Sequence, residues 1–234
     1  MSSLGHNVES LHYSLRRYFV DDFYFRHVPN LVAGSRVLDL GGNKILKRGY
    51  FDIEQYDLSV IYSNLSRDKN PDVQGDADQL SFQDNCFDAL ICSELLEHVA
   101  DPPTVLRETH RVLKRGGTLM ICVPFLYPIH GDPEDFGRYT DSYWKATLDT
   151  TGFRIINIER QGAFWSVLSD MLRELVVYMA GLGRPKSGLM RSLINYAILW
   201  SRRKALVWDS QVKFTENSFY GKYTTGFGII ATKR

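Results

Sequence analysis

"FDALICSELLEHVADPPTVLRETHRVLKRGGTLMICVP", Phe87 to Pro124, is the stretch that decides the fold. It opens and closes on short apolar runs, FDALICSE (87–94) and GTLMICVP (117–124). Between them Val105, Leu106, Val112 and Leu113 form a helical stripe, Pro102 and Pro103 suit a first helical turn, and Gly116–Gly117 supplies a stop. Strand, helix and strand in that order argue for parallel strands joined by a right-handed crossover. In such sheets ligands sit outside the carboxyl ends of the strands.

Upstream, RVLDLGG (36–42), IEQYDLS (53–59) and DVQGDA (72–77) have the same form, apolar runs that end in small, acidic or hydroxyl residues. The expected tips therefore carry Asp39, Gly41 and Gly42, then Asp57 and Leu58, then Asp76 and Ala77, and finally Ser93 and Glu94. Gly41 and Gly42 permit positive φ and close approach of a ligand. Asp57, read as closing the second strand, can accept two hydrogen bonds from ribose hydroxyls, and Asp76 can accept from an adenine amino group. A glycine turn beside one solvated Asp is weak evidence alone, but four tips lining one crevice are much stronger.

Downstream, VPFLYPIHGDPEDFGRYT (123–140) carries prolines at 124, 128 and 133 and glycines at 131 and 137, which prevent a regular helix or strand. His130, Asp132, Asp135, Arg138 and Tyr139 are thus expected on an irregular loop, where binding and catalytic groups are often found. A helix, DSYWKATLDTTG (141–152), a strand, FRIINIER (153–160), and a terminal strand, TGFGIIATKR (225–234), continue the pattern. Between 161 and 207 two apolar helices flank RPKSG, and Gly181 to Val207 holds six Lys/Arg with no Asp or Glu: Arg184, Lys186, Arg191, Arg202, Arg203 and Lys204. Residues from about Val8 to Val28 read as a helical arm, with Leu11, Leu15, Tyr18 and Phe19 at helical spacing.

A chain of 234 residues with 44% hydrophobic and 24% charged content suits one globular domain with a cap or insertion. The net charge of +1 supplies no global field for nucleic acid, and no nucleic-acid partner is expected. Three cysteines without CxxC spacing argue against a disulfide or metal framework and for a reducing cytoplasm. The first residues lack a signal-peptide core, and no apolar run reaches the roughly 20 residues that span a bilayer.

The blocks LDLGGN, GDADQLSFQDNCFD, SELLEHVADP and RVLKRGG closely resemble DxGxG, GDAxxLPFxDxxFD, SExLEHVxDP and RVLKPGG of the class I S-adenosylmethionine-dependent methyltransferases, small bacterial UbiE-like group, over about Val37 to Arg160. The resemblance implies an α/β fold: a Rossmann-like, seven-stranded, mostly parallel sheet of order 3-2-1-4-5-7-6, helices on both faces, and a helical cap before the last strand. It divides the chain into an arm (1–30), a core (31–160), a cap or interfacial insertion (161–207) and a closing strand (208–234). It implies S-adenosyl-L-methionine as cofactor and S-adenosyl-L-homocysteine as product. Gly41 and Gly42 would lie against the methionine part, Asp57 on the ribose and Asp76–Ala77 at the adenine, with Asp39, Asn43, Leu58, Ser93 and Glu94 completing the set. The family's second and third glycines fall on Asn43 and Ile45; Asn43 is expected to keep a left-handed turn and Ile45 to alter the loop, which the arm could complete. A dehydrogenase, the competing nucleotide reading, needs a third glycine that is absent after Gly42.

The resemblance also assigns the loop after the fifth strand to the acceptor pocket. The expected reaction is methyl transfer, on oxygen, to a small molecule or sugar-containing glycan precursor. His130 is the candidate base. Asp132 and Asp135 could orient it, bind acceptor hydroxyls or ligate a metal, although no metal is expected. Arg138 is read as a carboxylate or phosphate clamp, or as a lock on Asp135, and Tyr139 as an aromatic wall. Glu97 and His98 are read as helix-start or core hydrogen-bonding residues. The basic 181–207 segment suggests peripheral contact with the inner membrane face. The alternatives are a catalytically idle S-adenosylmethionine-binding or membrane-associated scaffold and, behind it, an RNA methyltransferase.

Overall fold

The computed structural model describes residues 10–45, 47–131, 133–212 and 218–234. Seven strands pair into one sheet: β1 (Arg36–Leu40), β2 (Ser59–Asn64), β3 (Val73–Gln74), β4 (Phe87–Ser93), β5 (Leu113–Pro124), β6 (Phe153–Gln161) and β7 (Gly226–Lys233). Their order, β3-β2-β1-β4-β5-β7-β6, is the one the resemblance implies. The first five run parallel, and β7 is antiparallel to β5 and β6. The central strands are apolar on both faces, as parallel strands covered by helices must be. Leu38, Leu90 and Ile121 pack on one side with Val105, Leu106, Trp144 and Leu148 of α2 (Pro102–Val112) and α3 (Asp141–Thr150). Val37, Ile91 and Met120 pack on the other with Val20, Phe23 and Tyr24 of α1 (Leu15–His27).

The structure corrects several expectations. β2 starts at Ser59, and the stretch expected to form it begins as a 3₁₀ turn, Ile53–Gln55, capped by Asp52. Arg36 at the start of β1 pairs with Ser59, so Asp57 and Leu58 precede β2 at the amino end of the sheet, where the Asp57 carbonyl accepts from Gly34 N. Helix α2 stops at Val112, short of the glycines, because Leu113 already has extended backbone. Gly116, at φ +75°, instead bends the chain within β5. Helix α1 begins at Leu15, capped by the Ser14 side chain; the part of the expected arm before residue 10 lies outside the described residues.

Helices α4 (Phe164–Gly181) and α5 (Gly188–Asp209) flank the basic linker as expected. The inner face of α4 presents Ser166, Ser169, Asp170 and Arg173 alongside Val167, whereas Leu168, Met171, Leu172 and Leu175 are exposed and do not pack on the sheet. Arg202, grouped by sequence with the interfacial cations, is buried and donates to the Ser10 and Tyr13 carbonyls.

Candidate active site

The carboxyl ends of β1 to β4 open into one cavity of about 870 Å³. Of the expected donor-site residues, Asp39, Gly41, Gly42, Asn43, Asp76, Ala77, Ser93 and Glu94 line it. Asp57 and Leu58 do not, for the register reason given above. The residue that ends β2 is Asn64, whose amide donates to the Gly41 and Gly42 carbonyls at 2.9 and 3.1 Å and accepts from Ser66 N at 3.0 Å. Gly41 takes the left-handed conformation, at φ +79°, and its N–H reaches the Ser63 carbonyl. Asn43 is not left-handed, so the turn is carried by Gly41 and braced from β2. At Gly42 a Cβ would fall on the Asp39 carboxylate, which explains the glycine there.

Asp39 is the chemically telling group of this half. Burial pushes its carboxyl up to about 7, and Lys47 opposes the push. A half-buried acid so placed, in a cavity of a size usual for small-molecule sites, suits a ligand that brings its own positive charge. S-adenosylmethionine, with an ammonium and a sulfonium, is such a ligand, and it has no phosphate that would need a pyrophosphate grip.

Helix α1 roofs the cavity through Arg17, Val20, Asp21 and Tyr24. Among the described residues between β1 and β2 there is no α-helix, and the arm takes up the work. Asp21 accepts from Tyr50 N at 2.7 Å and from the Tyr13 hydroxyl at 2.6 Å, and its carboxylate fills the space a side chain at Gly49 would need. Arg16, almost wholly buried, pairs with Glu94 at 2.5 Å and also reaches Gln161 of β6. Burial alone would raise the Glu94 carboxyl, but the Arg16 guanidinium outweighs it and holds the acid below its usual range. Glu94 itself sits at φ +52°, a conformation costly outside glycine. Its carboxylate is therefore committed to the roof. Asn64, Asp21 and Arg16 escaped the sequence reading because their partners lie far along the chain.

Past the β4 tip the cavity runs to His98, Gly131, Pro133 and Glu134. The expected acceptor residues stand just behind this wall rather than on it. Asp135 accepts both Arg138 amino groups, at 2.5 and 2.7 Å, and the His130 N–H at 2.8 Å, while Arg138 also donates to the Pro128 and Gly137 carbonyls. Arg138 is therefore a loop lock, and it keeps Asp135 below the usual carboxylate range. Tyr139 stacks on Tyr143 at 4.2 Å and packs edge-on to Trp144, joining the core instead of forming a cavity wall. Asp132 lies outside the described residues.

Glu97 and His98, on the 3₁₀ turn Leu96–His98, hold the unexpected chemistry. Glu97 is 1% exposed, yet neither of its carboxylate oxygens has a hydrogen-bond partner, so it does not play the core hydrogen-bonding role. Burial first, then the neighbouring Glu94, push its carboxyl up to about 8. His98 Nδ1 lies 2.6 Å from the Glu134 carbonyl, which can only accept; in the neutral ring the lone pair is therefore on Nε2, unpartnered and 3.6 Å from Glu97. The His130 ring meets His98 edge to face at 5.0 Å.

A family model described as a methyltransferase domain matches residues 42–121. The chain is 27% identical over 208 residues to the ubiquinone/menaquinone biosynthesis C-methyltransferase UbiE of Xylella fastidiosa (strain M12), covering 76% of this chain and 74% of that one. It is 34% identical over 104 residues to the demethylmenaquinone methyltransferase of Mycobacterium tuberculosis, covering 42% and 44%. Among solved structures, a SAM-dependent methyltransferase from Archaeoglobus fulgidus superposes with a TM-score of 0.56 at 18% identity, covering 93% of this chain and 94% of that one. The [4+2]-cyclase SpnF superposes equally well, at 0.56 and 19%, covering 93% and 80%. A fold shared with a cyclase does not decide the chemistry, which has to be argued from the site.

Proposed function

We infer that this chain, a class I S-adenosylmethionine-dependent methyltransferase of the UbiE-like group, methylates a hydroxyl-bearing small molecule held at the Glu97–His98–His130 end of the crevice. The observation that carries the reading is His98, which lines the cavity at the end away from Asp39 and the glycine turn, and whose Nε2, like the Glu97 carboxylate buried behind it, has no hydrogen-bond partner. S-adenosylmethionine supplies an activated methyl carbon whose bonding pair returns to sulfur. The chain's own task is to position the acceptor and remove its proton. Asp39, Asn64-braced Gly41–Gly42 and Asp76–Ala77 hold the donor. The His98 imidazole accepts the hydroxyl proton, with His130 edge-on to it, and the oxygen pair so freed forms the new bond to carbon.

A second reading is favoured by the relatives, which are named as C-methyltransferases of quinone biosynthesis and as a demethylmenaquinone methyltransferase. Removing the same proton from a ring hydroxyl makes the adjacent ring carbon the nucleophile, so the two readings share residues and differ in the atom that gains the methyl. Both fit an acceptor that resides in a membrane. Among the described residues no helix is long and apolar enough to cross one. The outward rows of α4 and α5, Met171, Leu175, Leu193 and Trp200, lie on the helices that flank exposed Arg184 and Lys186, a surface suited to an anionic bilayer. A quinol is favoured over a glycan precursor by the relatives' names alone.

Labelled S-adenosylmethionine, offered with membrane lipid extract and with water-soluble phenols and sugars, tests the reading by mass spectrometry of the methylated product. His98→Asn should keep donor affinity and lose turnover. Label transfer to RNA alone, or donor binding with no transfer to any of these acceptors, would overturn it in favour of an RNA enzyme or an idle scaffold.

A further inference from the structure

We propose that Glu97, His98 and His130 together hold a divalent transition-metal ion at the acceptor end of the crevice. One ligand atom from each side chain lies within 4.8 Å of the other two, and His98 Nε2 and Glu97 Oε1 are 3.6 Å apart. Two ligands of one ion at about 2.1 Å each and a tetrahedral angle are separated by about 3.4 Å. From these separations the cluster needs up to about 1.4 Å of contraction on its long side and about 0.2 Å on its short one.

Three independent features make this more than a chance cluster. Both Glu97 oxygens and His98 Nε2 are buried without a partner, a costly arrangement that a cation between them relieves at once. Each imidazole has its Nδ1 at a backbone carbonyl, His98 at Glu134 (2.6 Å) and His130 at Pro128 (3.1 Å). That is the outer-shell contact by which metal-binding histidines are oriented; it leaves Nε2 of His98 as the donor atom, while His130 Nδ1 also has the Arg138 guanidinium at 3.5 Å. The third feature is rigidity: Asp135, held by Arg138, fixes His130 through its backbone N–H. Glu94 stays outside the set because Arg16 occupies its carboxylate. Two imidazoles and one carboxylate suit Mn²⁺, Co²⁺ or Zn²⁺ better than Mg²⁺, which prefers oxygen ligands.

The proposal rests on the assignment of this end of the crevice to the acceptor, and it changes how the acceptor is activated. When bound, the ion would supply Lewis-acid activation of the acceptor hydroxyl, whose proton would leave to water. The imidazoles then act as ligands rather than as proton acceptors, and the oxygen pair forms the bond to the methyl carbon as the donor leaves as the thioether.

The test uses the full chain, stripped with EDTA and titrated with Co²⁺ by calorimetry and visible absorption, with and without S-adenosylhomocysteine. The wild type should bind one Co²⁺ with an imidazole-type spectrum, Zn²⁺ should displace it, and metal should raise the melting temperature. His130→Ala, at a partly exposed position that tolerates truncation, and Glu97→Gln should each weaken Co²⁺ by about 100-fold or more while His130→Ala keeps S-adenosylhomocysteine affinity. Absence of Co²⁺ binding, or equal affinity in both variants, overturns the site. Full methyl transfer after chelation, abolished by His98→Asn, overturns the metal and leaves the imidazole base standing. Tight Co²⁺ binding without transfer to any acceptor supports the site and tells against the proposed reaction.

Discussion

Helices α2 and α4 turn opposite kinds of residue toward the protein. Helix α2 turns Val105, Leu106 and Val112 onto the sheet and leaves its charges outside, the ordinary arrangement for a crossover helix. Helix α4 turns Ser166, Ser169, Asp170 and Arg173 inward and leaves Met171, Leu175 and Tyr178 outside. The inward polar row has identifiable tasks. Asp170 caps α1 by accepting from Leu15 N and Arg16 N, both at 2.8 Å, and Arg173 donates to the Leu11 carbonyl. Asp209 at the end of α5 in turn caps α4 through Ala163 N and Ser166 N, both at 2.8 Å. The difference teaches that α2 stabilises the sheet by apolar burial, whereas α4 and α5 hold the roof of the cavity by directed polar contacts and leave their apolar rows exposed.

The largest expected effect lies where the two regions meet. Arg16→Met leaves Glu94 as a buried, unpaired charge, and unfolding free energy measured by denaturant titration should fall by about 3–5 kcal/mol. A loss below about 1 kcal/mol would mean that the roof is not coupled to the sheet. Next, Leu106→Ala on α2 should cost about 3 kcal/mol by the same measurement.

Donor binding at the sheet end should follow the protonation of Asp39. Its carboxyl, raised from 3.8 to about 7 with Lys47, Tyr24, Tyr62 and Cys92 around it, must ionise to hold a cation. The affinity for S-adenosylmethionine should therefore be about tenfold weaker at pH 6 than its plateau above pH 8, with proton release on binding. A raised acid favours the folded state at low pH, so the same group's contribution to stability is complete below pH 3.8 and is lost as pH rises through 7. Calorimetry in buffers of different ionisation heat checks the proton release, and Asp39→Asn should abolish the pH dependence.

Smaller effects sharpen the contrast. Leu175→Ala, the same substitution on the outward row of α4, should change stability by no more than about 0.5 kcal/mol. Leu175→Asp combined with Leu193→Asp should instead abolish flotation with anionic vesicles. Finally, Asp57→Asn should leave donor affinity unchanged, since Asp57 lies at the wrong end of the sheet.

The sheet was legible because its central strands are buried on both faces and read as continuous apolar runs. The second strand was misplaced because IEQYDLS alternates like a half-buried strand, while the true strand, SVIYSN, is short and weakly apolar; only pairing with β1 distinguishes them. Most of the cavity lining at the carboxyl ends of β1 to β4 followed from the strand tips. The arm was expected to complete the loop, but the contacts by which it does so were not legible, because Arg16, Asp21 and Asp170 act on partners far away in sequence. Glu97 could be located but not understood, since what marks it is the absence of a neighbour, which no local pattern encodes. Helix α4 was legible as an apolar helix, but its apolar content does not say that the polar residues would face the protein.

The Arg16–Glu94 pair has a consequence for trimming the chain. A truncated protein beginning at residue 31 would retain every strand, yet it would leave a carboxylate stranded at the β4 tip, remove the prop beneath Tyr50 and uncover one side of the donor cavity. The smallest catalytic fragment therefore begins ahead of the first strand, and attempts to shorten it for crystallography or engineering should spare the opening helix.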